Sequence, residues 1–510
     1  MRHRASLKPP QVVIVGAGPG GLSAALQLAH AGARVIVLEK QGWVGGRTAT
    51  FEQQGFRFDI GPTFFLYPRV LQEIFRSVGL DLMREVPMRR LDPQYRISFA
   101  DGGRIDATGD IAAMEEQIGR FSPADRGAIT RFMRDNRIKL QRFRPILEMP
   151  FNGWHSFLSG ELLKALPWLQ PHKSLKQELS SYFTDPRLAI AFSFQSKYLG
   201  MSPSKCPSLF SILSYLEYDY GVFHPLGGCG QVSARMADLA RERGVEIRLQ
   251  EAVTGFEFEG RRPTHVNTDQ GSYQADAVII NADFAQAIQK LVPDRLRRRW
   301  TDARIDKKRF SCSTFMLYLG IEGLYDQVPH HTIHIAEDYE RNLRQIEQDF
   351  ILPDKPSLYV QNACVTDPSL APQGQSTLYV LVPVPHAHGN ITWDAQTRSR
   401  YRDLTLDQLA QQAMPDIRQR IVTERIITPE TWETDFGLFR GATFNMSHNL
   451  GQMLHRRPHN RFEDLQNTYL VGGGTHPGSG LPVIYESSRI TCKQLLPALG
   501  LDSSFLDSYS

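Results

Sequence analysis

Residues 12–22 limit the fold more than any other stretch: Val12-Val-Ile-Val-Gly-Ala-Gly-Pro-Gly-Gly-Leu22. Four β-branched residues run straight into Gly16, Gly18 and Gly21, with Pro19 and Gly20 completing the turn. Leu22, Ala25, Leu26 and Ala29 recur at helical spacing, and Gly32 closes the helix. A second apolar run, Val35 to Leu38, ends on Glu39. The pattern predicts a βαβ unit whose turn is shaped for a pyrophosphate. Gly16 permits the tight turn, Gly18 lets a phosphate approach the backbone, and Gly21 lets the helix sit close to the sheet. The helix N-terminus offers free N–H groups and a positive partial charge. Glu39, 18 residues past Gly21, can accept hydrogen bonds from ribose hydroxyls and would repel a 2′-phosphate, which argues against NADP.

Bulk properties narrow the class. A chain of 510 residues is long enough for two or three domains. Its 58 basic and 54 acidic residues are too balanced for a nucleic-acid protein. Cys206, Cys229, Cys312, Cys364 and Cys492 form no C-x-x-C pair, so free thiols in a reducing compartment are expected. The basic N-terminus precedes an apolar run too short for a signal peptide. No stretch of 18 apolar residues exists, so membrane contact is expected to be peripheral.

Just after Glu39 and Lys40 come Gly45-Gly46-Arg47 and Asp59-Ile-Gly61-Pro62-Thr63. Paired glycines let the backbone pass a ligand closely, and Arg47 can reach a phosphate or a flavin edge. Behind a dinucleotide fold these two turns point to FAD rather than NAD. Together, the glycine turn, Glu39, G-G-R and D-x-G-P-T resemble the FAD-dependent carotenoid desaturases of the phytoene-desaturase type. That group is related to the flavin amine oxidases and the Rab GDP-dissociation inhibitors.

The rest of the chain follows the same order. Asp185-Pro-Arg-Leu188, Phe192-Ser-Phe-Gln195 and Gly200-Met-Ser-Pro203 resemble the central block of these desaturases. His224-Pro-Leu-Gly-Gly228 resembles the turn that returns the chain to the FAD domain, and Asp276 to Asp283 resembles the family's A-D-x-V-V-x-N-A-D. Asn467 to Pro482 is a strand entering a Gly-rich loop, then a helix through Leu496. The resemblance implies an α/β fold. A discontinuous Rossmann-type FAD-binding domain would comprise residues 10–65, 225–299 and 456–500. A mixed-sheet substrate domain would comprise 66–110 and 300–455. A helical, membrane-contacting subdomain would comprise 111–224. The flavin set would be Gly16, Gly18, Pro19, Gly20, Gly21, Glu39, Lys40, Gly46, Arg47, Gly61, Pro62, Thr63, Val253 on the adenine side, Gly474, Thr475, Pro482 and Val483. A helix starting near Pro482 would turn free N–H groups toward the flavin pyrimidine and favour the reduced anion.

Between 110 and 220 helical patterns dominate and aromatics cluster: Phe143, Phe151, Trp154, Phe157, Trp168 and Phe192 among them. The dense apolar stretch Phe151–Leu169, with His172, Lys173 and Lys176 beyond it, suits either a membrane interface or an internal helix. A helix is expected over Pro207 to Gly221. His330, His331, His334, His386 and His388 share no acidic or Cys partner at ligand spacing, so no metal is expected.

The implied chemistry removes hydrogens from adjacent carbons of a linear polyene such as phytoene or diapophytoene. No side chain accepts a hydride, and FAD does. A metal or a Ser-His-Asp triad is therefore not required. Desaturases of this type carry an acid and, three positions on, a base; Glu161 and Lys164 fall there, although an exposed i,i+3 pair is the plainer reading. Glu486, where many members carry glycine, is the other acid–base candidate, with a solvated helix position as its alternative. A carotenoid oxygenase or ketolase, an isomerase, an amine oxidase and a non-enzymatic lipid carrier share the fold; product mass or a missing flavin would reveal them. The expected partners are a long isoprenoid hydrocarbon and oxygen or a quinone as final electron acceptor. The expected location is the cytoplasmic side of the cell membrane.

Overall fold

The computed structural model describes residues 8–153, 156, 160–170, 172–387 and 389–507. A five-stranded, wholly parallel sheet holds the order Glu246–Arg248, Arg34–Leu38, Gln11–Val15, Ala277–Ile280, Thr468–Leu470. Numbered along the chain, that order is 3-2-1-4-5, and the strand order reverses between Gln11–Val15 and Ala277–Ile280. Ligands of open α/β sheets bind at the carboxyl ends of the strands at such a switch point. Both faces of the sheet are covered, which is why its strands read as unbroken apolar runs. Val12, Ile14, Val35 and Val37 face one core, and Val13, Val15, Ile36 and Leu38 the other.

The first core holds the helix Pro19–His30 against Gly230–Glu242 and Leu481–Ala498. A buried Ser23–Ser488 hydroxyl pair at 2.7 Å ties the first and last of these together. The second core holds Phe284–Leu291 and a three-stranded antiparallel sheet, Val253–Glu259, Arg262–Thr268 and Ser272–Gln274.

A seven-stranded mixed sheet forms the second layer. Its order is Ile421–Ile427, Ser313–Glu322, Gln375–Val384, Leu358–Gln361, His331–Ile335, Tyr95–Phe99, Arg104–Ala107. All pairs are antiparallel except His331–Ile335 with Tyr95–Phe99. Against it sits a helical layer that includes Ala128–Glu148, Gly160–Leu169 and Ile212–Tyr220, packed through Phe132, Phe143, Leu162 and Phe192. The helix expected from Pro207 is shorter than its apolar pattern suggests. A 3₁₀ turn, Ser208–Ser211, precedes the α-helix, and Gly221 at φ 87° ends it.

Asp59 joins the layers. Its carboxylate accepts N–H bonds from Cys229 at 2.9 Å and Gly230 at 3.2 Å, satisfying the first turn of Gly230–Glu242, and a hydroxyl bond from Thr50 at 2.9 Å. A side chain on Gly228 (φ 96°) would meet Asp59 Oδ1 at 2.6 Å, so only glycine serves in that return turn.

Candidate functional site

One cavity of about 740 Å³ runs from the carboxyl ends of the parallel strands into the space between the mixed sheet and the helical layer. At its first end Gly16, Gly18 and Pro19 form the wall. Gly16 holds φ 98°, and a Cβ there would lie 2.4 Å from the Asn281 carbonyl oxygen. A Cβ on Gly21 would lie 2.5 Å from the Gly16 carbonyl, so this glycine serves helix–strand packing. Gly20 is packed likewise, against Val471, Asn281 and Ile484. Asn281 Nδ2 donates to the Gly16 carbonyl at 2.9 Å and pins the turn from the neighbouring strand.

Glu39 lines the cavity and is 6% exposed. Ala17 N–H donates to its Oε2 at 2.8 Å and Gln41 N–H to its Oε1 at 2.9 Å. Burial pushes its carboxyl above the ordinary range, against the pull of those two amides. Lys40, Val253 and Asp283 complete this end. Asp283 caps Phe284–Leu291 by accepting from Gln286 N–H at 3.0 Å.

Further in, Gly46, Arg47, Gly61, Pro62 and Thr63 reach the cavity. Arg47 Nη1 donates to the Thr443 carbonyl at 2.6 Å. Thr63 shares a hydrogen bond with the Tyr359 hydroxyl at 2.6 Å, which is bonded at 2.8 Å to His331 Nδ1. Burial drives His331 and His330 well below the ordinary histidine range, so both are neutral. Among the described residues no three His, Cys, Asp or Glu side chains gather as metal ligands; His388 lies outside them.

The C-terminal Gly-rich segment closes the same cavity. The helix Leu481–Ala498 begins at Gly480 with Pro482 in its first turn, and Pro482, Val483 and Glu486 line the wall. Gly472 and Gly473 line it too, whereas Gly474 and Thr475 face elsewhere. Gly474 backs onto Phe284, and the Thr475 hydroxyl donates to the Pro458 carbonyl at 2.6 Å. Of this loop, the first glycines meet the cavity and Gly474 and Thr475 stand behind them.

Glu486 is 4% exposed and sits in a charge cluster. Arg489 Nε and Nη2 donate to its two oxygens at 3.0 and 2.6 Å. Glu73 joins Arg489 at 2.9 Å and Arg69 at 2.6 Å; Glu148 joins Arg144 at 2.8 Å and Arg69 at 3.3 Å. The cluster pins the helices Arg69–Ser77, Ala128–Glu148 and Leu481–Ala498 to one another. Burial outweighs the pull of Arg489 and raises the Glu486 carboxyl to about 7. Glu486 is therefore not the solvated helix position of its alternative reading.

Of the other acid–base pair, Lys164 does not line this cavity. On Gly160–Leu169, Leu162 and Ala165 enter the core and Lys164 is exposed. The Glu161 side chain lies outside the described residues, as do Trp154 and Phe157 of the apolar stretch.

Beyond the charge cluster the chamber is mostly apolar, with Lys197 and Tyr339 among its polar lining residues. Phe194, Phe210 and Leu213 line it from the helical layer, and Ile335, Leu358 and Leu381 from the mixed sheet. Several of these features had no local signal. Glu73, Glu148 and Glu486 are spread over most of the chain, and Arg457, described below, reads in sequence as one more base in a basic run.

The donor set fits a flavin dinucleotide: a glycine-rich phosphate turn, a buried carboxylate for a ribose, and a helix N-terminus on one continuous wall. The description "Flavin containing amine oxidoreductase" matches residues 19–496. The 4,4'-diapophytoene desaturase (4,4'-diapolycopene-forming) of Methylomonas sp is 44% identical over 484 residues, covering 94% of each chain. The all-trans-zeta-carotene desaturase of Myxococcus xanthus is 38% identical over 500 residues, covering 96% of this chain and 94% of that one. An oxidoreductase structure from Methanosarcina mazei superposes with a TM-score of 0.62 at 15% identity, covering 94% of this chain and 98% of that one, which speaks to fold alone. The chain belongs to the flavin-containing amine oxidoreductase family, and within it stands with the carotenoid desaturases.

Proposed function

We propose that this chain is an FAD-dependent carotenoid desaturase that removes hydrogens from a linear polyene such as diapophytoene or phytoene. The observation that carries the reading is the single cavity, in which a dinucleotide cradle opens directly into an apolar chamber. The high identity to desaturases over nearly the whole chain supports it.

Bound FAD supplies the hydride acceptor that no side chain can provide. The chain's residues do the rest. Gly16, Gly18 and the start of Pro19–His30 hold the diphosphate, and Glu39 accepts the ribose hydroxyls. The apolar side chains of the chamber exclude water and align the hydrocarbon. Glu486, deprotonated and held by Arg489, takes up the proton lost from the adjacent carbon at one carboxylate oxygen. Glu161 and Lys164 are a second candidate pair.

The hydrocarbon enters from a lipid surface on the cytoplasmic side of the membrane, through peripheral contact. Among the described residues no helix is long and apolar enough to cross a membrane. Trp43 at 41% and Leu450 at 50% exposure are apolar side chains open to such contact. Oxygen or a quinone takes the electrons.

The test is incubation of the FAD-loaded protein with liposomes carrying diapophytoene or phytoene. Products lighter by two hydrogens per step, with red-shifted absorbance, are expected. Mass gain by oxygen, or an isomer of unchanged mass, would overturn the desaturase reading. Parallel anaerobic runs with and without quinone identify the acceptor.

A further inference from the structure

Behind the Gly-rich loop lies a positive charge that the mechanism above does not use. Arg457 is fully buried. Among the described residues no carboxylate lies within ion-pair distance of it. Its guanidinium instead donates to backbone carbonyls: Nε to Thr475 at 3.1 Å, and Nη2 to Gly473 at 2.6 Å and to Met446 at 3.2 Å. Nη1 reaches the Gln452 carbonyl at 3.5 Å. Burying an unpaired cation is costly, and such charges are normally paired. Burial lowers the guanidinium toward about 9, which still leaves it protonated at neutral pH.

Gly473, which takes the shortest of these bonds, is itself cavity wall. The charge thus stands one peptide behind the surface that continues to Ser479, Pro482 and Val483. Its field is felt at that surface. His448, on the same wall, is held well below the ordinary histidine range by burial and then by Arg457. Neutral His448 accepts the Ser479 N–H at Nε2, 3.0 Å away, and fixes the loop just before the helix Leu481–Ala498. The cation and the helix N-terminus therefore add, with the same sign, along one face of the cavity.

We propose that Arg457 is a fixed positive charge that favours the reduced, N1-deprotonated form of the flavin, and so sets how readily this enzyme accepts electrons. It is a positioning residue that acts through the loop rather than by contact. The inference rests on the reading that the flavin ring lies against residues 472–483.

The test uses the purified FAD-loaded enzyme and spectroelectrochemical titration. Arg457→Met is expected to shift the reduction equilibrium at least tenfold toward oxidised flavin, about 30 mV for a two-electron couple. Arg457→Lys keeps the charge and is expected to stay near the wild-type potential. An unchanged potential in Arg457→Met overturns the proposal. If Arg457→Met does not fold, the wild type decides. Its reduced flavin is expected to keep the anionic spectrum at pH values where free reduced flavin takes up its N1 proton, and a neutral spectrum there overturns the proposal. A wild type that takes up no flavin overturns both this inference and the reading beneath it. A wild type that binds flavin and desaturates, yet shows the neutral reduced spectrum, overturns this inference alone.

Discussion

Glu486 and Arg489 lie three residues apart on the last helix and grip each other through two hydrogen bonds, at 3.0 and 2.6 Å, on the wall of a cavity that is otherwise mostly apolar. On the proposed reading, the pair brings a proton acceptor to the place where the hydrocarbon loses a proton. The cost of its burial is what makes its protonation state responsive near neutral pH.

Glu486 should therefore give the enzyme a pH signature. Its carboxyl is raised to about 7, so desaturation is expected to increase as pH rises through 7. Glu486→Gln should flatten that profile and slow turnover by about 10²–10⁴-fold. The sign for stability is opposite. A raised carboxyl contributes stability that is fully present below its unfolded value and lost as pH rises through about 7. Product formation and urea unfolding between pH 5 and 9 measure both.

Removing Arg489 should be far more damaging than removing a surface arginine. Arg489→Met leaves Glu73 and Glu486 buried with fewer partners. A loss of roughly 3–5 kcal/mol is expected. Urea titration of the flavin-loaded protein, followed by near-UV ellipticity, reads it.

Glu39→Ala should weaken flavin binding without touching the chamber. It removes the buried acceptor of the Ala17 and Gln41 amides and, on the proposed reading, of the ribose hydroxyls. Charged hydrogen bonds are worth about 1.5–3 kcal/mol, so affinity should fall roughly 10- to 100-fold. Quenching of FAD fluorescence on titration into apoprotein checks it.

Leu213→Lys should separate the two halves of the cavity. The side chain lines the apolar chamber from the helical layer. A charge there is expected to reduce desaturation more than tenfold while the flavin spectrum and flavin content stay unchanged. Equal loss of flavin would contradict a chamber distinct from the cradle.

Local chemistry explains what could be read in the sequence. Gly16, Gly18 and Glu39 announce themselves because a turn, a helix start and an acid at fixed spacing need only adjacent residues. The strand Ala277–Ile280 shows as an unbroken apolar run because both its faces are covered. Composition does not say which way the Gly472–Thr475 loop bends; for Gly474 a neighbour remote in sequence, Phe284, lies against it. Asn281 was within reach, since it stands in a recognisable strand-end motif, yet its bond to the Gly16 carbonyl spans 265 positions. The three-helix charge cluster and Arg457 had no such cue. Their partners are carboxylates and carbonyls that only tertiary packing assembles, and an isolated Arg or Glu in sequence looks like solvated surface.

The central sheet draws its last strand, Thr468–Leu470, from near the end of the chain and pairs it beside Ala277–Ile280. A nascent polypeptide still emerging from the ribosome thus holds the phosphate turn long before it owns the far wall of the pocket. Vitamin-derived cofactor can be captured firmly only once residues 468–483 have been made, and until then the exposed edge of Ala277–Ile280 is a vulnerable seam for misassociation.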